Sequence, residues 1–190
     1  KAGSISKEME HIFDRTSFSY VSYYMVLLIL LSWAASLAHS VYINRPSLIR
    51  SLQKNFFGML AALLLASLIF ALVPPHFRML SDEANLVSVS QSMMYERRVD
   101  MVTMGVWYDN VFLPLNRVLD KRPLIFPFLV NIINMVCGYR PDNAFALNFM
   151  VLFLLLALIY IVIKKRLGDT WAYSALFLVA SQPIVVQTAT

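Results

Sequence analysis

The run from Tyr20 to Ile43 reads YVSYYMVLLILLSWAASLAHSVYI and contains no Asp, Glu, Lys or Arg. At about 24 residues and roughly 1.5 Å of rise per residue, a helix made of it is long enough to cross the ~30 Å hydrocarbon core of a bilayer. Asn44-Arg45-Pro46 predicts its end, and a basic loop carrying Arg45, Arg50 and Lys54 follows. On the other side, residues 4–15 place Ile5, Met9, Ile12 and Phe13 on one face among mixed charges, which predicts a short helix lying at the membrane interface.

Further spans follow along the chain. Phe56 to Val73 is a second apolar run, closed by Pro74-Pro75. Ala144 to Ile163 predicts another, ending at the basic cluster Lys164, Lys165 and Arg166. A last span is expected from Trp171 to about Val186. Leu124 to Cys137 is also apolar, but at about 14 residues it is short for a crossing and predicts an interfacial or re-entrant segment. Charge sidedness supports that reading. If 124–137 does not cross, Lys164–Arg166 falls on the same side as Arg45, Arg50 and Lys54, as positively charged cytoplasmic loops require. Four spans result, with the N-terminus and the polar loop 76–122 both outside.

Composition agrees. Of 190 residues, 59% are hydrophobic and 14% charged, with a mean hydropathy of +0.65. Soluble domains carry about 25% charged residues. The net charge of +5 is not gathered on one soluble face, which argues against nucleic acid as a partner. The single cysteine, Cys137, excludes an intrachain disulfide. The chain starts at Lys1 and stops within an apolar run, and both ends suggest part of a longer protein. Trp107, Tyr108 and Trp171 fit an aromatic belt.

Polar chemistry is concentrated in the loop 76–122. It holds six of the eleven acidic residues (Asp82, Glu83, Glu96, Asp100, Asp109, Asp120) together with Arg78, Arg97, Arg98, Arg117, Lys121 and Arg122. Leu86, Val89, Met93 and Met94 recur at helical spacing behind Ser81, which predicts an N-capped amphipathic helix over 82–97 lying along the membrane. Two readings of Asp82 and Glu83 stay open. Acids in a first turn favourably meet the positive end of the helix. Alternatively, one of them is a catalytic carboxylate that takes a proton from an attacking hydroxyl. Adjacent helical residues point about 100° apart, so one of the two should dominate. The stretch Asp120-Lys121-Arg122-Pro123-Leu124 likewise reads either as a polar collar before an apolar helix or as a phosphate site. His76 could support a metal but stands alone. No nucleophile elbow, glycine-rich phosphate loop or zinc-ligand spacing occurs.

In their order, these segments resemble the multi-span glycosyltransferases of the GT-C fold, most of all the branch holding aminoarabinose transferases of lipid A and protein O-mannosyltransferases. The resemblance covers roughly residues 56–190. It rests on Ser81-Asp82-Glu83-Ala84, Phe112-Leu113-Pro114-Leu115-Asn116, Asp120-Lys121-Arg122-Pro123-Leu124, the ending Lys165-Arg166-Leu167-Gly168, and Pro183 in the next span. Asp stands at 120 and Arg at 122 where the branch carries Glu and Pro. Leu147 and Asn148 stand where an arginine is common, and the run from Tyr20 to Ile43 is an added span.

The resemblance implies an all-α polytopic membrane fold in which 1–55 forms the interfacial helix, added span and basic loop, and 56–190 the N-terminal part of a GT-C-like module. It implies that Asp82, with Glu83 beside it, is the catalytic carboxylate. Lys121 and Arg122 would meet the lipid phosphate, and Asp120 would help hold a divalent metal cation. The donor would be a polyprenyl-phosphate-linked sugar and the acceptor a lipid, glycan or protein. The expected location is the bacterial inner membrane, with the endoplasmic reticulum as the alternative. The competing expectation is a non-catalytic membrane module: part of a transporter, an assembly scaffold or a relative that only binds carrier lipid.

Overall fold

The computed structural model describes residues 2–77, 83–109, 111–119 and 122–190. They form α1 (Ala2–Lys54), α2 (Phe56–Leu72), α3 (Glu83–Glu96), β1 (Asp100–Tyr108), β2 (Val111–Leu119), α4 (Ile125–Cys137), α5 (Asn143–Leu167), α6 (Asp169–Ala180) and α7 (Pro183–Ala189). The chain divides into two compact units, Lys1–Ser36 with Phe77–Pro141 and Leu37–His76 with Asp142–Thr190.

The fold is mostly helical, but it is not the all-α fold that the sequence reading expects. The second half of the polar loop is an antiparallel hairpin, with Tyr108 opposite Val111 and Asp100 opposite Leu119. Only two residues separate the paired ends, Tyr108 and Val111. The first of them, Asp109, adopts a left-handed backbone (φ 49), which Asp tolerates better than most residues and which the favoured two-residue hairpin turns require. The strands are rich in Val, Phe, Tyr and Trp, side chains that favour extended backbone. Pro114 fits because each strand of a two-stranded sheet has an outer edge, and it pairs with Gly105 beside a register shift.

Two helix boundaries also differ from expectation. α1 does not stop at Asn44-Arg45-Pro46 but continues to Lys54 with Pro46 inside it. Proline removes one N–H from the ladder, and the Asn44 side chain donates to the Ser40 carbonyl one turn back. The helix ends instead at Asn55, whose side-chain amide folds onto the Ser51 carbonyl at 2.9 Å. The apolar run beginning at Trp171 does not form one helix: α6 stops at Ala180, and α7 leaves it at 65°. Pro183 forces the residue before it out of the helical region, and Gln182 is extended (φ −70, ψ 122).

In the second unit, α2 packs on α5 and α6 through a stripe of small residues. Gly58, Ala62 and Ala66 recur every four positions and are buried, as is Ile69. They meet Leu152, Leu156, Ala157 and Tyr160 of α5 and Ala172 and Leu176 of α6. Small residues let helix backbones approach closely, which is how helices associate where lipid removes the hydrophobic driving force. Gly168, at φ 93, turns α5 into α6. Beside that turn Asp169 accepts from Tyr160 at 2.8 Å and pairs with Lys164 at 2.7 Å.

In the first unit, Ser19 and Tyr23 of α1 are buried, and Tyr23 joins Val89, Met93, Val99 and Phe128 in one core. α3 matches the amphipathic helix expected over 82–97 within a residue at each end, and α4 matches the expected apolar segment.

Two helical segments, Thr16–Lys54 and Asn143–Leu167, are long and apolar enough to cross a membrane, and the bent pair α6–α7 would make a third. α2 and α4 are shorter apolar helices. Large side chains such as Ile29, Trp33, Phe57, Leu64 and Leu154 stand bare on the outward faces of α1, α2 and α5. Exposed apolar helix faces of this kind mark a lipid or protein contact.

Candidate functional site

Of the residues singled out in the sequence, Asp82, Asp120 and Lys121 lie outside the described residues, as does Ser81. Glu83 opens α3 and is half-buried in its first turn. Arg122, also half-buried, lies three residues before the start of α4. His76 belongs to the second unit, where its Nδ1 lies 3.3 Å from the Pro74 carbonyl and its backbone N–H donates to Thr190.

The packing of α3 on α4 relates Glu83 to Arg122. The Asn134 amide donates to Ser90 Oγ at 3.5 Å, and further along the same two segments the Tyr95 and Tyr139 rings meet edge-on at 6.0 Å. Both pairs keep the same sequence separation, so the helices run parallel. Their first turns therefore lie at one end of the pair, with the acidic entry to α3 and the basic entry to α4 on the same side of the unit. Between the helices sits a buried polar set of Ser90, Asn131 and Asn134. The Asn131 side chain is fully buried and neither of its polar atoms has a hydrogen-bond partner. A polar group left so costs about 1–3 kcal/mol.

The structure also reveals a cluster that the sequence reading missed. Asp100 is buried at the foot of the hairpin and is held from two sides. Arg98 pairs with one carboxylate oxygen at 2.5 Å and Arg117 with the other at 2.9 Å. Arg117 continues to Glu96 at 2.5 Å. Burial opposes the Arg117 charge, but the hydrogen bonds to Glu96 and Asp100 outweigh it and raise its pKa above the ordinary value. Arg98 lies 5.3 Å over the Tyr20 ring. Arg98, Asp100 and Arg117 line a cavity of about 350 Å³ together with Thr16, Ser19 and Asn116. The charged groups that border it are paired with one another. One signal could have found the cluster: Tyr108-Asp109-Asn110-Val111 read as a two-residue turn. Counting back from it sets Arg117 opposite Val102 and diagonal to Asp100 on one face.

Among the described residues no three His, Cys, Asp or Glu side chains gather as a metal site. The cation expected at Asp120 has no ligand set to be tested there, and no step is assigned to it.

No known protein family, curated protein or solved structure matches the chain.

Proposed function

We propose that the chain is part of a multi-pass membrane glycosyltransferase of GT-C type, moving a sugar from a polyprenyl-phosphate carrier to an acceptor hydroxyl at the extracytoplasmic face. The observation that carries this reading is the parallel packing of α3 on α4, which gathers the acidic entry beginning at Glu83 and the basic entry at Arg122 at one end of a single unit. In sequence, Asp82 immediately precedes the first and Lys121 immediately precedes the second.

The reaction needs a base and a counter-charge. The Asp82 carboxylate takes the proton of the acceptor hydroxyl as its oxygen attacks the anomeric carbon. The bond from that carbon to the phosphate oxygen breaks, and both electrons leave with the polyprenyl phosphate. Lys121 and Arg122 stabilise the charge that develops on the leaving phosphate. Glu83 sits beside the base and sets its local field. Charge placement favours surface chemistry over transport, because transporters usually set ionisable groups inside their spans, whereas the run from Tyr20 to Ile43 has none of Asp, Glu, Lys or Arg.

The test is transfer from polyprenyl-phosphate sugars by the parent protein in lipid. Asp82→Asn should lose roughly 100-fold or more in rate, the scale of acid–base catalysis. Lys121→Ala should weaken carrier binding more than Asp82→Asn does. Equal carrier release by wild type and Asp82→Asn would instead make Asp82 a helix-end acid and the chain a non-catalytic membrane module.

A further inference from the structure

An open groove of about 440 Å³ runs between α1 and α4 of the first unit. Tyr24, Leu27, Leu31 and Ala34 line it from α1, and Phe128 and Met135 from α4. Its lining is predominantly apolar, and Arg97 is the one charged residue in it. Arg97 is exposed, and it follows α3 with a left-handed backbone (φ 55) that a side-chain-bearing residue adopts only at a cost. Arg97 and Tyr24 line the same end of the groove, and the neighbouring Tyr24 and Tyr23 phenols raise the Arg97 pKa above its ordinary value. The site therefore has a cationic head and a hydrocarbon body.

Length identifies the occupant. From Tyr24 to Ala34 a helix rises about 15 Å, which is half of the ~30 Å hydrocarbon core and so the depth of one leaflet. An acyl chain of an ordinary phospholipid has that reach. A polyprenyl chain of many isoprene units would run well past the end. Leu31 and Met135 are exposed, so the groove is open along its side to a lipid arriving from the bilayer.

We propose that this groove binds one acyl chain of an anionic membrane phospholipid, with the head-group phosphate on Arg97. The bound lipid is a structural ligand distinct from any sugar donor, and its binding does not depend on sugar transfer.

The test is native mass spectrometry of the full chain released from nanodiscs containing equal phosphatidylglycerol and phosphatidylcholine. Wild type should retain one phosphatidylglycerol in preference to phosphatidylcholine. Arg97→Gln should cut that preference about fivefold, the worth of one basic side chain at an anionic surface, and Arg97→Lys should restore most of it. Leu27→Trp, which fills the groove, should lower retention of both lipids. Equal retention of the two lipids by wild type would overturn the proposal, as would a preference unchanged in Arg97→Gln. So would displacement of the retained lipid by stoichiometric polyprenyl phosphate, or a lipid-free dimer that Leu27→Trp splits. Because no readout uses sugar transfer, failure here and failure of the glycosyltransferase reading are separate results.

Discussion

Asp100 shows how much one side chain can organise. Its carboxylate is almost fully buried and meets two guanidiniums that are themselves mostly covered. Two charges taken out of water are stable only while the acid is present. Asp100→Ala should therefore cost about 3–5 kcal/mol, the usual result of removing one partner of a buried pair. Denaturant unfolding of the chain in detergent measures it, and an unchanged midpoint would show the network to be dispensable. The cluster was missed in the sequence because Arg117 reaches Glu96 and Asp100 only through hairpin register, which is legible only once the turn at 109–110 is recognised. That Glu83 opens a helix and Arg122 shortly precedes one was legible, since local chemistry marks both starts. Their placement at one end was not, because parallel packing is a tertiary fact.

At the scale of elements, the α2 stripe carries the sharpest expectation. A Cβ built on Gly58 would fall inside the Tyr160 ring, far closer than van der Waals contact allows. Gly58→Ala should destabilise the α2–α5 contact by about 1–3 kcal/mol, as overpacking does. Thermal unfolding in detergent would show the loss, and Tyr160→Leu in the same chain should recover part of it. A Gly58→Ala variant as stable as wild type would mean that the two helices do not approach closely. Where such elements begin and end was legible when punctuation was strong: Pro74-Pro75 after α2, Pro123 before α4 and Gly168 after α5 all mark observed boundaries. Pro46 misled because one missing donor did not outweigh the continuing helix on either side. Pro183 was read as a proline carried within the last span, although the extended residue it imposes at Gln182 breaks that run into two helices. The strands were hidden because β1 carries apolar residues on both faces and its turn lacks glycine.

For the molecule as a whole, the decisive question is sidedness. If α4 does not cross, as the sequence reading expects, the hairpin and the basic end of α5 fall on opposite sides of the bilayer. In a Cys137→Ser background, Tyr108→Cys and Arg166→Cys place thiols at exposed positions on those two elements. A membrane-impermeant thiol reagent added to sealed vesicles of one orientation should reach only one of them, and labelling of both would make α4 a crossing helix. The hairpin itself sets a limit on where that bilayer can lie. A ribbon of two strands has two open edges, and unpaired backbone N–H and C=O groups do not persist in hydrocarbon. At its foot, the Val99 N–H donates to Ser19 of α1 at 2.9 Å. If α1 crosses a bilayer, the hairpin acts as a float moored to it and sets the water line near Ser19, one residue before the uncharged run begins.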